Sequence, residues 1–296
     1  MLTETPNPQT ARLDRLSALE IVTLMNAEDA SVAVTVRQAL PHVAEAVEQI
    51  VTRFTSGGRL FYVGAGTSGR LGVLDAAECV PTFGTPPEWV QALIAGGEDA
   101  MLRSIEGAED DPDQAAQELQ DLGFGAGDVL VGIAASGSTP YVLGAVRHAR
   151  DLGAYTVGIS CNAPAPLLEQ TDCPIALPVG PEALTGSTRL KAGTAQKMVL
   201  NMLSTALMVR LGKTYGNLMV DVQVTNTKLQ KRARGIVMQV GQVSEAEAEA
   251  LLLQAGGQAK RAIVMARRDV DTAEADRLLD SAQGRLYRIL EAAELP

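Results

Sequence analysis

The chain reads as an α/β protein: a five-stranded parallel sheet flanked by helices, with N-terminal helices before it and a small helical domain after it. Short apolar runs ending in small residues recur at Leu60–Val63, Ala92–Ala95, Val129–Ala134, Tyr155–Ser160 and Ile175–Val179. Stretches of helical periodicity lie between them, and this alternation demands crossover connections, hence parallel strands covered on both faces. Aromatic residues make up only 3%, so Ala, Val, Leu, Ile and Met must fill the core.

Taken in order, residues 15–54 carry helical spacing in Leu16, Leu19, Ile21, Leu24 and Met25, then in Val43, Val47, Ile50, Val51 and Phe54, with an interruption expected near Pro41. The strands and their helices follow Ser56-Gly57-Gly58. A long helix is expected from Ser187 to about Lys213, with Met198, Leu200, Leu203, Leu207 and Leu211 on one face and Gly212 near its end. Ser244 before Glu245-Ala246-Glu247 reads as an N-cap with acidic residues in the first turn, and two more short helices are expected around Ala259–Arg267 and Asp271–Leu279. The expected organisation is therefore an N-terminal helical segment (1–55), the sheet domain (56–219), a connecting helix (220–243) and a small helical domain (244–296).

Of the 296 residues, 35 are acidic and 25 basic, a formal charge of −10 that argues against a nucleic-acid binder. The longest apolar runs are broken by Gly, Lys or Asp well before the roughly 18 residues of a membrane span. The start, MLTETPNPQTARLD, lacks the basic entry and apolar run of a secretory signal, so a cytoplasmic protein is expected. Three widely separated cysteines, Cys79, Cys161 and Cys173, suit reduced thiols. The only histidines are His42 and His148, without CxxC or HxxxH spacing, so no metal site is expected.

Two loops look able to hold a ligand. The first expected strand runs into Gly64-Ala65-Gly66-Thr67-Ser68-Gly69-Arg70, and the third into Ala135-Ser136-Gly137-Ser138-Thr139-Pro140. The first matches GxGxxG, but no acidic residue follows a second strand about 20 positions on, as a dinucleotide ribose would need. Two Ser/Thr-Gly loops at the carboxyl ends of parallel strands can instead converge on one small dianion such as a phosphomonoester, offering amides and hydroxyls together. Thr67, Ser68, Gly69, Ser136, Ser138 and Thr139 are the candidates; each loop taken alone also reads as a tight strand-to-helix turn.

A helix from Thr67 sets Thr67, Leu71, Leu74 and Glu78 on one stripe, with Glu78 expected on the inward face and in the last turn before Pro81. There the negative end of the helix dipole would raise its pKa, suiting a general acid, although an ordinary polar residue at a helix end fits as well. Acidic residues crowd the segment Glu106-Gly107-Ala108-Glu109-Asp110-Asp111-Pro112-Asp113, which reads either as a solvated cap or as a second source of catalytic carboxylates.

Together, GAGTSGR, LDAAE, IAGGEDA, IEGAEDD, GIAASGSTPYV and VGISCN resemble the N-acetylmuramic acid 6-phosphate etherases of the sugar isomerase (SIS) superfamily, whose sheet is flavodoxin-like. GPEALTGSTRLKAGTAQK, residues 180–197, is similar to a signature these enzymes share with the glucokinase regulatory protein. The resemblance runs from about Thr3 to the end of the chain. It implies cleavage of the D-lactyl ether at C3 of the sugar phosphate, giving N-acetylglucosamine 6-phosphate and D-lactate, in cell-wall sugar catabolism and recycling, without metal or organic cofactor.

The resemblance puts Glu78 on the family's catalytic acid and Glu109 on its second catalytic glutamate, assigned here as the C2 base. Glu106 is kept as a sugar-hydroxyl ligand or a neighbour tuning Glu109, and Asn226 and Lys228 resemble residues that touch the sugar phosphate in the regulatory protein. Arg70, Arg189 and Lys191 are candidates for the lactyl carboxylate. A straight helix would carry Glu78 roughly 16 Å from the phosphate loop, so either a homodimer shares the site or the helix breaks early. The alternative function is a non-catalytic sugar-phosphate regulator; an aldose-ketose isomerase would need a His or Lys in a site loop.

Overall fold

Each apolar run becomes a strand in the computed structural model, which describes residues 1–224 and 226–291. The strands are β1 (Leu60–Gly64), β2 (Val90–Ile94), β3 (Val129–Ile133), β4 (Tyr155–Ser160) and β5 (Cys173–Ala176). They pair in the order β2-β1-β3-β4-β5, all parallel, with Leu60 level with both Val90 and Val129. The second and fifth strands begin earlier than expected, at Val90 and Cys173, and β5 contains Pro174. A proline is tolerated there because β5 is an edge strand, where one ladder donor can be missing.

The chain divides into two compact units, Met1–Ala77 with Glu88–Ser204, and Glu78–Pro87 with the chain from Thr205 on. The expected borders at 55/56, 219/220 and 243/244 do not follow this division. The N-terminal helices fold with the sheet, and Glu78–Pro87 leaves the middle of the expected sheet domain.

In the first unit the sheet is covered on both faces, and the alternation of its strands decides what each face meets. Phe61, Val63 and Leu130 join a core with Ala115 and Leu119 of α4 (Pro112–Asp121) and Val142 and Val146 of α5 (Pro140–Asp151). Leu167 of α6 (Pro166–Glu169) completes it. Tyr62 and Ile133 face the other way, toward Gly72 of α3 (Gly66–Phe83), where an added Cβ would come within 3.0 Å of Tyr62 Cβ. The starts of β1 and β3 are clamped by Arg59, which donates to both carboxylate oxygens of Asp128.

The N-terminal helices are α1 (Ala18–Asp29) and α2 (Val32–Thr55). Their junction is at Ala30-Ser31, not at Pro41, which sits inside α2. An interior proline costs a helix about 3 kcal/mol. Burial of Val32, Val36, Ala39, Val43, Ala46, Val47 and Ile50 along one stripe of α2 offsets that loss. In α1 a capping box between Ser17 and Glu20 starts the helix, but no residue of α1 is buried.

Helix α7 (Lys191–Arg210) starts later than the expected Ser187, and Gly212 ends its last turn at φ +78°. Within the second unit α8 (Thr227–Gly241), α9 (Glu245–Gln254), α10 (Ala259–Arg268), α11 (Thr272–Ser281) and α12 (Leu286–Leu290) enclose their own core of Val237, Ala262, Ile263, Val264 and Leu286. Ser244 is the N-cap its sequence suggested and, with Glu247, forms a capping box, and Asp271 caps α11. Among the described residues, no helix is long and apolar enough to cross a membrane.

Candidate functional site

The chain leaves β1 toward β2 on one side and returns to β3 on the other, so β1 and β3 are neighbours whose following helices lead in opposite directions. That reversal opens a crevice at their carboxyl ends, where open α/β sheets bind ligands. The two loops singled out by sequence, 64–70 and 135–140, are the ones that follow β1 and β3.

In the first loop the glycines permit close approach. A Cβ on Gly64 would lie 2.6 Å from Gly69 N, and one on Gly69 would lie 2.7 Å from Gly64 O and 2.6 Å from Ile94 Cγ1. Gly66 opens α3 at φ +51°. The first-turn amides thus stand against the strand end, the arrangement that favours an anion. Thr67 is half-buried beside Gly193 of α7. Ser68 is buried, its Oγ 3.0 Å from the side-chain amide of Gln196.

The second loop turns at Gly137, with φ +72° and no room for a Cβ, which would meet Ala165 Cβ and Ser160 Oγ, each at 2.5 Å. Its carbonyl at Ala135 accepts from Asn162 Nδ2 at 2.8 Å and Cys161 N at 3.0 Å, and Asn162 Nδ2 also donates to Thr3 Oγ1. Ser136 Oγ accepts from Ser138 N at 3.2 Å, a turn that leaves the Ser136 proton available. Thr139 is the N-cap residue of α5 but makes no side-chain cap bond, so its hydroxyl stands beside the uncapped first turn. Ser138 is exposed and Thr139 half-buried.

The acidic segment runs between the two helices that these loops start. Arg70 of α3 donates to the carbonyls of Met101 and Arg103, and Ile105 packs on Gly96. The 3₁₀ turn Ala108–Asp110 then packs on α5, and Asp111 caps α4. Glu106 lies between Ile105 and this turn and Glu109 within it, both exposed. A Cβ on Gly144 of α5 would collide with Pro112 O at 1.8 Å, which shows how closely the end of the segment sits on α5.

Glu78 departs from its expected environment. Its stripe of α3 is not inward: Leu74 is 49% exposed and Glu78 is exposed, whereas Asp75, Ala76 and Cys79 are buried. Nor does Pro81 stop the helix, which continues unbroken to Phe83 and ends at Gly84 with φ +60°. The early break considered from sequence is therefore absent. Asn226 caps α8 by accepting from Leu229 N at 2.9 Å, and Lys228 is exposed on its first turn; Thr225 lies outside the described residues. Thr67, Ser68, Gly69, Glu106, Glu109, Ser136, Ser138 and Thr139 belong to the first unit, and Glu78, Asn226 and Lys228 to the second.

Two of the three cations proposed for a carboxylate are engaged. Arg70 holds backbone carbonyls, and Lys191, only 3% exposed, has its ammonium 2.6 Å from Glu28 Oε2. Arg189 is exposed in the loop before α7. Burial pushes the Cys161 thiol up to about 12 and the Cys173 thiol up to about 11, which leaves both protonated and unreactive at neutral pH. Among the described residues no group of three or more His, Cys, Asp or Glu side chains could hold a metal ion.

Sequence reasoning missed Gln196, Asn162 and Thr3, which hold the loops from behind. Only Gln196 carried a signal, its place in the GTAQK run, because long-range hydrogen bonds have no local pattern.

Residues 42–150 match the family described as the glucokinase regulatory protein N-terminal SIS domain, 113–206 the SIS domain family, and 216–261 the C-terminal lid domain of glucokinase regulatory protein. The solved phosphoheptose isomerase of Francisella tularensis superposes with TM-score 0.51 at 18% identity, over 66% of this chain and 100% of that one, a likeness of fold. The N-acetylmuramic acid 6-phosphate etherase of Aeromonas hydrophila is 54% identical over 262 residues, 88% of each chain. The one from Rhodopirellula baltica is 55% identical, over 88% of this chain and 87% of its own. With identity of this order along almost all of both sequences, the chain belongs to the N-acetylmuramic acid 6-phosphate etherase family.

Proposed function

We propose that the chain cleaves the D-lactyl ether of N-acetylmuramic acid 6-phosphate, releasing N-acetylglucosamine 6-phosphate and D-lactate, as a carbon-oxygen lyase of cell-wall sugar recycling. Family membership at 54% identity supports the reaction class. The observation that carries the binding mode is the pair of Ser/Thr-Gly loops following adjacent strands β1 and β3 at the switch of strand order. Their amides and the hydroxyls of Thr67, Ser68, Ser136, Ser138 and Thr139 supply donors for a phosphate dianion, which an acidic chain must hold by local dipoles.

The chemistry needs two proton-transfer groups. In the open-chain sugar the C1 aldehyde acidifies the C2 proton; Glu109 removes it, the C3–O bond breaks, and Glu78 protonates the departing ether oxygen to give D-lactate. Water then adds at C3 of the unsaturated aldehyde while the proton returns to C2, each carboxyl reversing its role. Glu106 binds a sugar hydroxyl or tunes Glu109, and Asn226 and Lys228 approach the sugar phosphate. A non-catalytic regulator has no use for this pair of carboxylates.

Because α3 is unbroken, eleven residues of rise, roughly 16 Å, separate Thr67 from Glu78. We therefore place Glu78 in the site of a second subunit of a homodimer. Leu19 and Val22, 74% and 57% exposed on a helix with no buried residue, suit such an association. A cytoplasmic location belongs to the same proposal, and three buried cysteines outside any disulfide suit a reducing compartment.

Incubation with the substrate in heavy-oxygen water tests the reaction: label should enter the C3 hydroxyl of the product sugar while lactate keeps its unlabelled ether oxygen. Label in lactate, or no lactate at all, overturns it. Mixing Ser136→Ala with Glu78→Gln protein tests the shared site, since mixed dimers regain one intact site only if Glu78 acts across the interface.

A further inference from the structure

Ser68 and Gln196 form a buried pair whose donor and acceptor roles decide what the first loop offers a ligand. Gln196 is fully buried on α7 and Ser68 is 7% exposed on α3, with Ser68 Oγ and Gln196 Oε1 3.0 Å apart. The other end of the amide, Nε2, is buried with no protein partner among the described residues. In that orientation the single hydroxyl proton of Ser68 is engaged by Gln196, and two amide protons are left without an acceptor. A buried orphan donor is the costlier kind of unsatisfied group, whereas an under-used carbonyl oxygen is better tolerated.

The two ends of a glutamine amide have nearly the same shape, so chemistry decides which faces Ser68. Turning the amide places Nε2 at 3.0 Å from Ser68 Oγ as donor and moves the unpartnered place to the oxygen. Ser68 then accepts from Gln196, and its own proton is free to donate. A phosphate dianion has only acceptor oxygens, so a Ser68 whose proton is engaged would meet it with lone pairs, and a Ser68 held by an amide donor would meet it with a proton.

We propose that Gln196 is a positioning residue for the phosphate loop: its amide N–H fixes Ser68 Oγ as an acceptor and so turns the Ser68 proton toward the substrate phosphate. This rests on the reading of loop 64–69 as a phosphate cradle. Gln196 does not touch the sugar; it acts from behind, through Ser68, on the same helix that brings Gly193 against Thr67.

Substitutions separate the two orientations. Gln196→Glu, once ionised at high pH, keeps an acceptor and loses the donor, and Gln196→Met loses both at similar size and no charge. Steady-state kinetics with N-acetylmuramic acid 6-phosphate, and competition by inorganic phosphate, should show KM and the phosphate inhibition constant raised about tenfold in Ser68→Ala, Q196E and Q196M, with kcat within about threefold. Adding Q196M to Ser68→Ala should cost nothing more. In Q196E the KM defect should shrink as pH falls, because the protonated carboxyl regains a donor. If Q196E does not fold, Q196M and the double variant carry the test.

Wild-type KM in Q196M, or in Q196E at a pH where its carboxyl is ionised, overturns the role of Gln196, as does a full additional loss in the double variant. Wild-type KM in Ser68→Ala overturns the phosphate-cradle reading and this proposal with it. A raised KM in Ser68→Ala beside unaffected Gln196 variants removes Gln196 alone.

Discussion

Arg70 Nε donates to the Met101 carbonyl at 3.2 Å, tying the second residue after Ser68 on α3 to the segment that leads into Glu106 and Glu109. A second bond, from Nη2 to the Arg103 carbonyl at 3.0 Å, makes this a two-point clamp that a planar guanidinium suits and an ammonium cannot reproduce. The residue therefore positions the acidic segment.

Arg70→Ala should leave the sheet folded, speed amide hydrogen exchange across residues 98–110, and lower kcat for lactate release about tenfold or more, since loss of near-attack geometry acts on the chemical step. Arg70→Lys should recover little of it. Unchanged exchange in the alanine variant would show that the segment holds itself.

Glu78→Gln and Glu109→Gln should each fold with stability within about 0.5 kcal/mol of wild type, because both side chains are exposed. Each should lose about 10²-fold or more in lactate release, the scale of general acid–base catalysis. Chemical denaturation beside a D-lactate assay separates the two effects, and near-normal turnover in either variant removes that residue from the mechanism.

Lys191 and Arg189 should behave in opposite ways. Lys191→Met leaves the Glu28 carboxylate, whose side chain is 18% exposed, without its partner and should cost up to about 3 kcal/mol of stability with little change in KM. Arg189→Ala should barely change the unfolding midpoint but raise KM and weaken inhibition by D-lactate, if the exposed guanidinium is the group that meets the lactyl carboxylate. Unaltered lactate inhibition would exclude it.

Gly137→Ala tests the second loop. The added methyl would lie 2.5 Å from both Ala165 Cβ and Ser160 Oγ, on a backbone held at φ +72°. A loss of about 3 kcal/mol or more in urea unfolding is expected, with activity reduced in the folded fraction. A stability loss under about 1 kcal/mol would mean that the turn can shift.

Asp75 supplies a pH test. Burial raises its pKa, against lowering by hydrogen bonds from Tyr62 at 2.9 Å and Ser204 at 3.1 Å and by the Lys197 charge. The folded state then holds this proton more tightly than the unfolded chain, so its contribution to stability is full below the usual aspartate value of 3.8 and declines as pH rises toward the raised folded value. Comparing unfolding of wild type and Asp75→Asn across that window should show a wild-type slope that the asparagine removes. Parallel curves would contradict it.

Much of the fold was legible because its signals are local. The strands announce themselves as apolar runs bounded by small residues, and Ser244 caps α9 as its place before an acidic first turn suggests. Pro41 and Pro81 misled for the converse reason: each marks a helix end by local rule, yet α2 passes through Pro41 under a buried stripe and α3 passes Pro81 to end at Gly84. The periodicity of Leu71 and Leu74 predicts an inward face for Glu78, but only the packing of α3 shows that Asp75 and Cys79 face inward instead.

The sequence by itself determined the parallel sheet, the two Ser/Thr-Gly loops, the acidic segment and the family, since each is written in neighbouring residues or in motifs kept in order. Tertiary structure alone decided that those loops follow adjacent strands, that Lys191 and Arg70 are engaged, and that Gln196 stands behind Ser68. The physical reason is distance along the chain: 128 residues separate Ser68 from Gln196 and 163 separate Glu28 from Lys191. Partners so far apart meet only when the whole sheet and its helices close around them.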